Sequence, residues 1–221
     1  MRSPRRRRFL ANTFGLVLIL VIGLAAVLVL RMGDDGASDG SVVVGPFIPG
    51  VGLTVRSQSL YPEDNPWKAY LAPDSACSGG DTLSTATRAQ ERTMVCLLNW
   101  ARKQRGLPAL REKPLLSQAA RLKARDIAQC QDFAHEACGK ASNAVVVEAG
   151  YVSRSWGENL YAGSKDFGRP RVAVSGWLNS AGHRENLFRG EWTEQGVSVL
   201  RVERFDGQPD VSIWVSHFGE S

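Results

Sequence analysis

From Phe9 to Leu30 the chain carries no charged residue, and no other feature limits so strongly what it can fold into. A bilayer core takes roughly 20 apolar residues at helical rise, so a transmembrane helix is expected over 9–31. A cleavable export signal has a shorter apolar core, about 7–15 residues, followed by a small-x-small site. After Leu30 the sequence continues Arg-Met-Gly-Asp-Asp, which offers no such site. A signal anchor is therefore the expected reading. A cleaved signal is the alternative, since Arg-Arg-Arg-Phe-Leu also resembles a twin-arginine export signal, and cleavage would make the protein secreted. In both cases the basic segment 1–8 stays inside and everything after Arg31 is delivered outside. The expectation is a single-pass cell-membrane protein with an extracytoplasmic C-terminal domain.

The net charge of +5 and isoelectric point near 9.2 would suit a nucleic-acid binder. The distribution removes that class. Five of the 27 basic residues lie within positions 1–8, and the remainder of the chain balances its 22 acidic ones. The excess charge belongs to membrane topology, so no nucleic-acid partner is expected. Residues 32–75 are rich in Gly, Pro, Ser and Asp without sustained periodicity, the composition of a spacer. That leaves 76–221, the size of one ordinary domain.

Its four cysteines are Cys77, Cys96, Cys130 and Cys138. An even number in an exported chain points to disulfides, because the outside is oxidising. Three pairings are possible; Cys130 and Cys138 flank a short turn, which favours 130–138 and, by elimination, 77–96. The rival reading of Cys130-Gln-Asp-Phe-Ala-His135-Glu-Ala-Cys138 is a metal knuckle. It would need a further ligand and thiolates kept reduced. A staple instead leaves His135 available to point elsewhere.

The spacing of apolar residues predicts a helix over 87–105, with Thr87 and Gln90 as a capping box and Gly106 and Pro108 as stops. A second helix starts at Pro114, with Leu116, Ala120, Ala124 and Ile127 as its buried stripe. Shorter helices are expected near 142–149, closed by Gly150, and over 171–181, closed by Gly182. Then the period changes. Gly196–Phe205 and Pro209–Phe218 are rich in β-branched and aromatic residues and are separated by Asp206-Gly207, an antiparallel hairpin signal. Helices first and strands last imply an α+β fold rather than a parallel sheet.

Three further segments stand out: Asp-Phe-Ala-His135-Glu-Ala-Cys-Gly, Ser-Trp156-Gly157-Glu158-Asn159-Leu160-Tyr161-Ala-Gly, and Trp177-Leu-Asn-Ser180-Ala-Gly182-His183-Arg. With Asn99-x-x-Arg102 on the first helix, they resemble signatures of the CAP superfamily, which includes cysteine-rich secretory, antigen 5 and pathogenesis-related proteins and bacterial SCP-like domains. The likeness runs over about 84–220. It implies an α-β-α sandwich whose central cleft is faced by two histidines and one or two glutamates. Carried over by position, these are His135, His183 and Glu158. The second glutamate would lie three residues after Trp177, where this chain has Ser180; Glu194 is the one acid that could substitute. Ser180, Asn159 and Trp177 are expected to line the cleft. The family has been linked to lipid and sterol binding, to metal binding and to proteolysis, which makes a lipid, a sterol or a cell-surface protein the expected partner.

The residue types allow that chemistry on their own terms. Neutral imidazoles are the commonest metal ligands, and a neighbouring carboxylate fixes their tautomer. Two histidines and water could hold zinc in an open site, with Glu158 either as third ligand or as the carboxylate behind a ligating histidine. A hydrolase would use Glu158 and His183 as its catalytic pair, with the bound water as nucleophile. The plainer reading is a buried hydrogen-bonded network that orders the cleft. A serine triad of Ser180, His183 and Glu158 lacks a Gly-x-Ser-x-Gly turn. His217 alternates with Ile213 and Val215 and is expected to be a packed or surface histidine. Trp156 and Tyr161 read as packing aromatics, one of which could instead line a ligand groove. Arg169, Arg171, Arg184 and Arg189 read as a solvated face.

Overall fold

The computed structural model describes residues 60–61 and 64–220. The expected anchor over 9–31 and the spacer up to 59 lie outside them. Among the described residues no helix is long and apolar enough to cross a membrane.

Among the described residues five α-helices and four strands follow in the order α1 (Thr87–Gln104), β1 (Arg111–Glu112), α2 (Pro114–Cys130), α3 (Ala144–Glu148), β2 (Ser155–Ser164), α4 (Pro170–Asn179), α5 (Ala181–Leu187), β3 (Glu194–Phe205) and β4 (Gln208–Glu220). The sheet order is β1-β3-β4-β2. The expected hairpin is β3–β4, and it closes through Asp206 and Gly207, both at positive φ, as a two-residue turn requires. Two strands depart from the expected order of helices before strands. β2 sits between helices and pairs antiparallel with β4, and the short β1 pairs parallel with β3.

Both sheet faces are covered. Alternation sends Leu160, Ala162, Ile213 and Val215 to one face, where they pack with Ala120, Ala124 and Ile127 of α2. It sends Tyr161, Val197, Val199, Trp214 and Phe218 to the other, against Met94, Leu97 and Leu98 of α1 and Trp177 of α4. The stripes expected on the first two helices are thus the inner surfaces of the outer layers. α2 comes close to the sheet at Gly196 of β3, where a β-carbon would collide with the backbone of Leu116 and Ser117.

Several local expectations change. The Thr87/Gln90 capping box does not form. Ala86 is the N-cap without a side-chain bond, and Gln90 Nε2 donates instead to Thr82 O at 2.9 Å. The helix expected over 171–181 ends at Asn179; extended Ser180 breaks it, and α5 then carries Gly182 inside it rather than at a stop.

The packed structure also starts upstream of 76. Asn65 Nδ2 donates to Ser175 Oγ of α4 at 3.1 Å, Ala72 is buried, and Trp67, Tyr70 and Leu71 pack on the α1/α4 core. Arg171, expected on a solvated face, is instead buried and paired with Asp74 and Asp81. Its guanidinium fills the space that a β-carbon on Gly80 would need. Those two carboxylates, both upstream of α1, clamp the leading segment onto α4.

The two disulfides are Cys77–Cys96 and Cys130–Cys138, with Cα separations of 5.8 and 5.4 Å, and no described cysteine is free. We predict that Gly196→Ala, which forces α2 off the sheet, lowers unfolding free energy by about 1–3 kcal/mol in denaturant titration. A loss below measurement error would show that α2 does not rest on that backbone.

Candidate functional site

The Gly157-Glu158-Asn159 run lies in β2, where successive side chains point to opposite faces. Gly157 and Asn159 face the α1/α4 layer and dock α5. Asn159 Nδ2 donates to His183 O at 2.9 Å and Asn186 Nδ2 donates to Asn159 Oδ1 at 3.0 Å, while the Asn186 amide fills the space beside Gly157. Glu158 points the other way, into the α2 layer. One tripeptide therefore serves two sides of the sheet.

On that side both Glu158 oxygens are taken. His135 Nδ1 lies 2.6 Å from Oε1 and His217 Nε2 lies 2.6 Å from Oε2. Burial alone would push this carboxyl up. Hydrogen bonds from His135 and His217, with the charges of His217 and Lys123, outweigh it and hold the group at about 2, against an ordinary 4.5. An ionised carboxylate only accepts hydrogen bonds, so His135 carries its proton on Nδ1 and His217 on Nε2. The carboxylate side chain is 1% exposed, the His135 ring 9% and the His217 ring 0%. His217 Nδ1 is buried without a hydrogen-bond partner, and Trp156 meets that ring edge-on at 6.0 Å.

Local structure brings these groups together. Register sets Glu158 opposite His217, and His217 opposite Gly196. His135 comes from the loop after α2, which Gln131 ends in a left-handed conformation. The Cys130–Cys138 bridge closes the loop, Lys140 binds Asp126 back on α2 at 2.7 Å, and fully buried Lys123 donates to the His135 carbonyl. Of the two readings of this loop, the structure carries the staple.

The other expected site residues have these places. His183 is buried on α5, and its backbone carbonyl accepts from Asn159 Nδ2. Asn159 and Trp177 have no exposed surface, and Trp177 Nε1 donates to Leu160 O at 2.9 Å; both hold the frame rather than line a cleft. Ser180 does line a pocket, beside α4 and away from Glu158. Glu194 accepts from Tyr151 Oη at 2.9 Å and pairs with Lys113 at 3.2 Å, so it holds the β1 region rather than a second acid position. His217 is the residue the sequence reading left out of the site. Its alternation with Ile213 and Val215 gave the correct face, but only strand register shows Glu158 beside it.

Asn99 and Arg102 are structural. Asn99 bonds both the N–H and the carbonyl of Leu110, and buried Arg102 reaches the carbonyls of Pro108, Leu187 and Arg189. Arg184 stacks on Trp67 at 4.4 Å.

As the third zinc ligand Glu158 has no free oxygen here, although a carboxylate accepting an imidazole N–H is also the usual partner of a metal-binding histidine. Both Glu158 oxygens are committed to imidazole N–H groups, and among the described residues no three His, Cys, Asp or Glu side chains are grouped to hold a metal ion.

Replacing Glu158 by Gln leaves one imidazole without its acceptor. We expect a loss of about 3 kcal/mol of stability near neutral pH. Because the folded-state pKa lies below the unfolded one, the stability Glu158 supplies is full above pH 4.5 and is lost as pH falls toward about 2. The gap between wild type and Glu158→Gln in denaturant titrations should therefore close over that interval; a gap independent of pH would refute the ionised clamp. Cys130→Ser should cost about 2–5 kcal/mol under oxidising conditions, and unchanged melting would mean that the bridge does not hold the His135 loop.

The model of the CAP family, the cysteine-rich secretory protein family, matches residues 95–218. The Bacillus subtilis (strain 168) protein YkwD is 30% identical over 153 residues, covering 68% of this chain and 55% of YkwD, so the chain spans about half the length of that curated relative. Among solved structures, an extracellular protein containing an SCP domain from Bacillus anthracis matches with a TM-score of 0.51 at 21% identity, over 68% of this chain and 44% of that one. An outer surface protein from Borrelia burgdorferi gives 0.51 at 21%, over 62% and 96% of the two chains. At such identities the structures speak for the fold alone, while the family match covers more than half the sequence, from α1 to β4. The chain belongs to the CAP, or cysteine-rich secretory protein, family.

Proposed function

We propose that this protein is a membrane-tethered, extracytoplasmic binding module, and that the Glu158 cluster is its ordering device rather than a catalytic centre. One observation carries the reading: the Glu158 carboxyl is almost without exposed surface and has both oxygens occupied by imidazoles. A general base must reach the proton it removes and works best with a pKa near the operating pH. A carboxylate held at about 2 meets neither condition. The zinc-hydrolase reading needs that same group as base or ligand.

The location is supported by two disulfides, which persist in oxidising compartments, by the uncharged run before Arg31, and by relatives described as secretory, extracellular or outer-surface proteins. Binding is supported by a pocket of about 370 Å³ beside α4, lined by Leu60, Tyr161, Phe167, Val172, Ser175 and Asn179. The Tyr161 hydroxyl is spent on the Phe167 carbonyl at 2.9 Å, so its ring presents carbon to the pocket. A mainly apolar lining with a few polar groups suits a small apolar ligand, such as a lipid chain or a sterol.

The segment from residue 60 onward should bind a fluorescent acyl or sterol probe saturably. Exposed Asn179, replaced by Trp, should block it with little change in melting. Zinc-loaded wild type and Glu158→Gln should both leave peptide substrates intact. Zinc-dependent cleavage abolished by Glu158→Gln would overturn the proposal, as would probe binding indifferent to Asn179→Trp.

A further inference from the structure

A second pocket, of about 500 Å³, lies where residues 76–84 cross the first turns of α1. Neither the Glu158 cluster nor the apolar pocket contributes to it. Its walls are fixed in advance: Cys77 is bonded to Cys96, Thr93 Oγ1 donates to Ser78 O at 3.0 Å, and Gln90 Nε2 donates to Thr82 O at 2.9 Å.

Gln90 lines this pocket and is only 3% exposed, yet its Oε1 has no hydrogen-bond partner. Turning the amide over gives no relief, because it would set oxygen against the Thr82 carbonyl. An unmet buried acceptor costs stability, and native structures rarely keep one without a reason. The lining contains no acid, and neither does the first turn of α1. What surrounds Gln90 is mixed in kind: hydroxyls of Ser78, Thr82 and Ser84, which give and take hydrogen bonds, and the exposed guanidinium of Arg92, which only gives.

An apolar chain would offer Gln90 Oε1 no donor and the Arg92 guanidinium no acceptor. A fully ionised anion would satisfy Arg92 but has no proton for Gln90. A ligand with several closely spaced groups that both donate and accept would meet Gln90, Arg92 and the hydroxyls together, and a saccharide has that chemistry. We propose that this pocket binds a sugar, with one hydroxyl donating to Gln90 Oε1 and other ligand oxygens accepting from Arg92 and the serine and threonine hydroxyls.

The test is a titration of the isotope-labelled, oxidised full chain in phospholipid nanodiscs with N-acetylglucosamine, followed by NMR. The expected result is saturable, millimolar-range shifts led by the Gln90 side-chain amide and the backbone of residues 78–84. Gln90→Met, which removes the acceptor at similar size, should weaken binding about tenfold. Because that change also removes the bond to Thr82, exposed Arg92→Ala provides a second variant, expected to weaken binding several-fold without lowering the melting temperature. The proposal is overturned by absence of saturation in wild type, by wild-type affinity in Arg92→Ala, or by tri-alanine saturating the same resonances as the sugar.

Discussion

The interaction on which the α2 side of the sheet depends is the buried carboxylate of Glu158, gripped by one imidazole from a loop and one from the adjacent strand. A charge taken out of water is expensive unless it is paired and hydrogen-bonded. Here His217 comes from β4, already paired to β2 in the sheet, and His135 comes from a loop of otherwise irregular backbone. The carboxylate thus ties that loop to the sheet. The Cys130–Cys138 bridge, the Lys140–Asp126 pair and Lys123 on the His135 carbonyl restrict the same loop from its other side.

On the opposite layer the same logic uses arginines. Buried Arg102 gathers three carbonyls from two separate segments, and Arg171 clamps the leading segment through Asp74 and Asp81. The guanidinium suits this work because it offers five donors in a fixed plane and stays charged when buried. The family's signature residues in this chain are therefore largely joints. Asn99 and Arg102 fix the turn after α1, Gly157 and Asn159 seat α5, and Glu158 seats the His135 loop. A shared fold and a shared activity need not travel together on such residues.

Much of the frame was legible beforehand. The apolar stripes of α1 and α2, the Asp206-Gly207 turn, the cysteine pairing and the order of the signatures all depend on short-range spacing, and the structure agrees with each. What was missed depends on partners distant in sequence. Gln90 looked like a capping residue and bonds Thr82 instead. Ser180 breaks a helix that the pattern carried on to 181. Arg171 looked solvated because Asp74 and Asp81, its partners, lie upstream of α1. His217 was assigned its correct face and no role, since nothing in Val-Ser-His-Phe says that Glu158 lies opposite.

The sequence by itself determined the periods, the hairpin turn and the family, and favoured one cysteine pairing among three. Those are properties of neighbours along the chain, set by backbone geometry and side-chain type. Only tertiary structure decided which residues share a site. In β2 consecutive side chains leave on opposite faces, so Glu158 and Asn159, adjacent in sequence, serve different layers. Strand register, fixed by the whole sheet, then gave the carboxylate His217 as its partner. Proximity in a folded chain follows register and packing, and those are settled by elements meeting across long stretches of sequence.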